Sequence, residues 1–222
     1  MTAPNGANVT ARLRALRIVP VIVIDDARHA LYLAEALAEG GLACAEVTFR
    51  TPAAVEALTL IAKERPEFLV GAGTVLTPQQ ADRALDAGAH FAVSPGMNRR
   101  VVKHCIEIGL PMYPGICTPS EVELALELGL RAVKFFPAEP TGGVKYLKAI
   151  SAPYGDLEFM PTGGITRDTL ADYLGFRKVI ACGGSWMAPS DWIHTGAFER
   201  IRDETRRAVQ LVREIDARTA AA

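Results

Sequence analysis

Short runs of apolar and β-branched residues alternate with longer segments whose apolar positions recur at helical spacing, and the alternation holds to about residue 186. The runs are IVPVIVI (18–24), ACAEVTF (43–49), FLVGAGTV (68–75), HFAVSPG (90–96), PMYPGI (111–116), RAVKFFP (131–137), LEFMPTGG (157–164) and KVIACGG (178–184), starting about twenty to twenty-five residues apart. Each run reads as a strand and each longer segment as an amphipathic helix. ALYLAEALAEGG (30–41) ends in the glycine pair expected just past a helix. TPSEVELALELG (118–129) offers Thr118 or Ser120 as its cap and stops at Gly129. A further helix is predicted before the first strand (VTARLRALR), and another after the eighth. In the latter, Phe198, Ile201, Val212 and Ile215 share a stripe. The ends, about 1–9 and 216–222, are expected to be flexible.

Eight strand-then-helix units without a composition break predict one domain over residues 1–222. Two architectures fit: a closed (β/α)8 TIM barrel and an open doubly wound sheet. The count of eight and the even period favour the barrel, here with an extra N-terminal helix. No GxGxxG follows the first run, which weighs against a dinucleotide-binding sheet. Hydrophobic residues at 50% and charged ones at 22% exclude a disordered chain. The 24 basic and 25 acidic residues nearly cancel, so the basic excess of a nucleic-acid binder is missing. No apolar run reaches bilayer length, and MTAPNGANVTARLR lacks the apolar core of a signal peptide, so a cytoplasmic location is expected. Cys44, Cys105, Cys117 and Cys182 form no CxxC pair and read as buried free thiols. His29, His90, His104 and His194 show no ligand spacing, so no metal is expected.

Barrels of this kind carry their chemistry at the C-terminal ends of the strands. Of six lysines, only Lys134 sits within a strand-like apolar run, on one face with Phe136 while Val133 and Phe135 take the other. Burial of an amine favours its neutral form, the form a Schiff-base nucleophile needs. The plainer alternative is a stray edge lysine. In CAEVTFR (44–50), the second run with the residue after it, Cys44, Glu46, Thr48 and Arg50 share a face. A glutamate and an arginine pointing into a barrel are costly unless they meet a ligand or each other, so a structural Glu46–Arg50 pair is the bland reading. With Lys134 they make a nucleophile, a proton shuttle and an anion clamp. Thr74 ends GAGTVL and Pro95 lies in SPG. PTGGI (161–165) and GGSW (183–186) close the last two runs, and glycine-rich turns there are the usual phosphate site, with Thr162 and Ser185 as donors.

The strings VPVIVI, EVTFR, GAGTVL, SPG, YPG, KFFPAE, PTGGI and GGSW, in this order, resemble the bacterial KDPG/KHG aldolases. The likeness runs from about residue 10 to residue 215. It implies a homotrimeric barrel without metal or other cofactor, acting on a small 2-oxo acid; no nucleic-acid or membrane partner is expected, on the charge balance and apolar-run length. It implies that Lys134 forms the Schiff base and that Glu46 serves as acid and base. Arg50, Thr74 and Pro95 would surround the pyruvate-derived half, Phe136 would line the pocket, and Thr162, Gly163, Gly164, Gly184 and Ser185 would hold the far end. Two rival readings of the same residues are a non-covalent phosphosugar isomerase or decarboxylase, and a barrel carrying pyridoxal phosphate on Lys134.

Overall fold

A computed structural model describes residues 6–220, the side chain of residue 220 excepted. The helix expected before the first strand is α1 (Gly6–Leu16). The strands are β1 (Ile18–Ile22), β2 (Cys44–Thr48), β3 (Leu69–Gly73), β4 (Phe91–Val93), β5 (Met112–Tyr113), β6 (Gly115–Ile116), β7 (Ala132–Phe135), β8 (Glu158–Pro161) and β9 (Cys182–Gly184). Between and after them lie α2 (Ala30–Glu39), α3 (Ala54–Glu64), α4 (Pro78–Asp86), α5 (Arg99–Glu107), α6 (Pro119–Glu127), α7 (Gly143–Ser151), α8 (Leu170–Leu174), α9 (Ser190–His194) and α10 (Phe198–Ala220). All eight apolar runs contain strand, each shorter than its run. The runs at 68–75, 90–96 and 157–164 lose their C-terminal ends to turns, whereas β9 keeps Gly183 and Gly184 within the strand.

The strands form an α/β fold with parallel sheets. One sheet has the order β5-β4-β3-β2-β1-β9 and the other the order β6-β7-β8. Parallel bridges Phe159↔Val179 and Thr162↔Gly183 run from β8 and its end to the β9 segment. The single fifth run of the sequence becomes two strands because Pro114 interrupts it: proline has no N–H for a ladder. Its carbonyl remains in use, accepting from Lys134 N at 3.0 Å.

Side chains alternate as the sequence pattern predicts. Cys44 and Ala132 point into an inner cluster with Val19, Leu69, Phe91 and Met160, whereas Ala45, Val47, Val133 and Phe135 pack outward under the helices. Of the two cap candidates of α6, Thr118 is used. It closes a capping box with Glu121, and Gly129 follows at φ 77°. Three of the four free cysteines are buried and Cys117 is half-buried. Burial pushes the Cys105 thiol up to about 11. Among the described residues no helix is long and apolar enough to cross a membrane.

The ends differ from expectation. Residues 6–9 belong to α1, where Val9 is buried, and α10 continues beyond residue 215 to Ala220, helped by Arg218 Nε donating to the Glu214 carbonyl at 3.2 Å. Residues 1–5 and 221–222 of the expected flexible ends lie outside the described residues.

Arg17, between α1 and β1, ties several of these parts together. Its backbone sits at φ 65°, a conformation that costs a non-glycine residue about 1–2 kcal/mol. Its guanidinium donates to the carbonyls of Leu174 (2.8 Å) and Val179 (3.0 Å) and to Asp216 (3.1 Å). Arg17→Met keeps the stem but strips these acceptors of their donor. It is expected to cost about 1.5–3 kcal/mol, and to lower the melting temperature by about 3–12 °C for a chain of this size. Thermal unfolding followed by circular dichroism measures it. An unchanged melting temperature would contradict the tie.

Candidate active site

Glu46 projects from β2 and Lys134 from β7, strands that are not neighbours in either sheet. Strand alternation turns both side chains inward, and they meet across the interior. Lys134 Nζ lies 3.3 Å from Glu46 Oε1 and 3.5 Å from Oε2, and the two residues are 5% and 1% exposed. Holding such a pair away from water costs several kcal/mol per ion, so stability alone is a weak reason for it. The Glu46–Arg50 pair considered from sequence does not form. Arg50 is exposed in the turn after β2 and has no ion pair among the described residues.

Phe136 links this buried pair to open space. Lys134 Nζ stands 5.2 Å from the centroid of the Phe136 ring, and the ring lines a cavity of about 610 Å³. Arg50, Thr162, Gly163, Gly164, Gly184 and Ser185 line the same cavity, so seven of the residues singled out in the sequence converge there. Thr74 and Pro95 do not. Both are half-buried just past the ends of β3 and β4, Thr74 at φ 57° and Pro95 with its carbonyl packed on Gly115. A cavity of about 560 Å³ beside α1 is lined mainly by apolar groups, and its Tyr113 hydroxyl is engaged with Thr10 at 2.8 Å. It lacks a buried charged pair.

Local rules explain the far wall. Gly163 and Gly164 have φ of 103° and 80°, the left-handed region that favours glycine. A Cβ on Gly164 would also meet Glu139 Cβ at 2.7 Å. The turn is clamped by Ala138 N and Glu139 N, which donate to the Thr162 and Gly163 carbonyls at 2.8 and 3.0 Å, and Glu139 in turn accepts from the Tyr173 hydroxyl. Burial and the Glu139 carboxylate both push the Tyr173 phenol pKa upward. Thr162 is 5% exposed, with its hydroxyl directed to the Met160 carbonyl at 3.4 Å, whereas Ser185 is exposed and free to face a ligand. Among the described residues no group of three or more His, Cys, Asp or Glu side chains could hold a metal ion.

Sequence reasoning missed part of the lining. Val21 and Val23 reach the cavity from β1 and its end, and Trp186, Thr166 and Ser190 from the last turns. Trp186 lies over Gly184, where a Cβ would fall 1.7 Å from the ring, and its Nε1 is buried without a hydrogen-bond partner among the described residues. The signal for Val21 and Val23 was present in the first run, whose odd positions alternate with outward-facing Ile22 and Ile24.

The family model for KDPG and KHG aldolase matches residues 9–203. The KHG/KDPG aldolase of Escherichia coli K12 is 48% identical over 193 residues, covering 87% of this chain and 91% of that protein. Among solved structures, the KDPG aldolase of Legionella pneumophila, with pyruvate captured as a covalent carbinolamine intermediate, superposes with a TM-score of 0.87. It is 40% identical and covers 90% of this chain and 97% of that one. The 2-keto-3-deoxy-6-phosphogluconate aldolase of Zymomonas mobilis with 3-phosphoglycerate gives a TM-score of 0.79 at 39% identity, covering 90% and 98%. By sequence and by fold alike, this chain belongs to the KDPG and KHG aldolase family and is a lyase.

Proposed function

We propose that the protein is a class I aldolase that cleaves 2-keto-3-deoxy-6-phosphogluconate to pyruvate and glyceraldehyde 3-phosphate, and 4-hydroxy-2-oxoglutarate to pyruvate and glyoxylate. The observation that carries this is the dry Lys134–Glu46 pair, 3.3 Å apart beside a cavity edged by Phe136. The same reading takes the two sheets as arcs of one closed eight-stranded barrel forming a single domain. In its support, the chain continues through Pro114 from β5 to β6, and the bridges at Phe159 and Thr162 link β8 to the β9 segment. A homotrimer in the cytoplasm, working without a cofactor, belongs to this proposal through the family resemblance.

The chemistry follows from the groups. The Lys134 amine adds to the C2 carbonyl, giving a carbinolamine that loses water to form a cationic imine. That imine accepts the electron pair of the C3–C4 bond as it breaks, so the product is an enamine instead of a bare carbanion. Glu46, a carboxylate within reach of the same nitrogen, takes the C4 hydroxyl proton as the aldehyde leaves and then returns a proton to the enamine carbon. Water releases pyruvate and regenerates the amine. Arg50, at the rim of the cavity, and Thr74, just past the end of β3, are assigned to the carboxylate, which points the ketone at Lys134. Pro95 and Phe136 shape the pyruvate half.

Thr162, Gly163, Gly164, Gly184 and Ser185 receive the far end. Ser185→Ala removes one hydrogen bond to a charged group, worth about 1.5–3 kcal/mol. Wild-type enzyme is expected to release pyruvate from both keto acids. The variant should lose roughly ten- to a hundredfold in kcat/KM on the phosphorylated substrate and distinctly less on the shorter one. Steady-state kinetics on both substrates reads this out. Equal losses would displace the phosphate from these turns, and no pyruvate from either would refute the assignment.

A further inference from the structure

Glu46 occupies space that exists because residue 73 has no side chain. β2 and β3 run parallel with Thr48 opposite Gly73. A Cβ placed on Gly73 would lie 2.3 Å from Glu46 Oε1, 2.7 Å from its Cγ and 2.9 Å from its carboxylate carbon, and these are the three nearest atoms. The backbone at Gly73 is not in the left-handed region, so an L side chain there meets no conformational penalty of its own. Glu46 is 1% exposed and faces Lys134, so its carboxylate cannot yield to an added methyl group and keep the same position.

We infer that Gly73 is a positioning residue: its missing Cβ forms the slot that holds the Glu46 carboxylate against Lys134. The inference rests on the reading of Glu46 as the proton shuttle. Ordinary van der Waals contact needs about 3.5 Å, so an alanine would displace Oε1 by about 1 Å. A catalytic group misplaced by that distance can cost roughly a hundredfold in rate. The obstacle is the end of a side chain and not backbone, so the strand itself can survive.

The test is a cycle of G73A, E46A and the double variant. G73A is expected to fold, to be trapped on Lys134 by pyruvate and borohydride, and to lose about ten- to a hundredfold in kcat with KM changed less than about threefold. In the E46A background the same substitution should change neither the residual kcat nor the melting temperature, because the clashing atoms are gone. The melting comparison also covers the case in which G73A alone folds poorly. Equal loss of turnover or melting temperature in both backgrounds would overturn the inference, since Gly73 would then act apart from the carboxylate. G73A with wild-type kcat beside an impaired E46A would overturn the positioning role alone. E46A with wild-type kcat would overturn the reading of Glu46 on which it rests.

Discussion

Pyruvate added together with borohydride is expected to inactivate the enzyme and to leave one reduced adduct, on Lys134. Of the six lysines only this one is buried, and it is the one that faces the cavity side through Phe136. Lys63, Lys103, Lys145 and Lys148 are exposed, and Lys178 is engaged with the carbonyls of Ser151 and Tyr154. Lys134→Met keeps the length and apolar stem while removing the nitrogen. It is expected to abolish the adduct and to lower kcat by about 10⁴–10⁶-fold, the scale of losing a covalent nucleophile. Peptide mass spectrometry of the trapped protein and single-turnover cleavage by the variant measure both. An adduct on Lys145 or Lys148, or a Met variant that still cleaves at a comparable rate, would end the Schiff-base mechanism.

Glu46→Gln separates proton transfer from carbon–nitrogen chemistry. The amide preserves size, so the slot beside Gly73 stays filled, but it cannot take the C4 hydroxyl proton. Imine trapping at Lys134 should persist. Cleavage, and the exchange of pyruvate methyl protons for deuterium, should both fall by roughly two to four orders of magnitude. Proton magnetic resonance of pyruvate in heavy water follows the exchange directly. Exchange at the wild-type rate would hand the proton transfers to another group.

Lys134 and Glu46 were legible because strand alternation is a strong local rule: a charged residue at an inward position of an apolar run has nowhere else to go. The turn at Gly163 and Gly164 was legible for a similar reason, since paired glycines after a strand indicate a conformation few other residues can make, whereas Gly183 and Gly184 belong to β9 itself and the turn begins only after them. Alternation put Arg50 on the Glu46 face, but it ends where β2 ends, so the string could not tell a pair with Glu46 from the exposed turn position that Arg50 takes. Thr74 and Pro95 stand outside the cavity lining because they lie one and two residues past a strand, where φ, and no longer the pleat, sets direction. The break at Pro114 was hidden in a run that reads as one strand, because its neighbours keep an apolar pattern across it. Gly73 and Trp186 were missed for another reason. Their roles depend on what lies across a strand pair or over a neighbouring glycine, and a lone glycine or tryptophan in a string carries no mark of that.

The depth of the site divides its tolerance to change. Lys134 and Glu46 are 5% and 1% exposed, whereas Arg50, Gly164 and Ser185 stand at the solvent-facing rim. Substitution at exposed positions usually alters stability by about 0.5 kcal/mol or less, while disturbing a buried ion pair costs about 3–5 kcal/mol. On the proposed roles, Ser185 is therefore the rim position at which new aldehyde partners can be recruited while Lys134 and Glu46 stay as they are. On that assignment, the choice of acceptor and the ability to make or break the bond are separately evolvable.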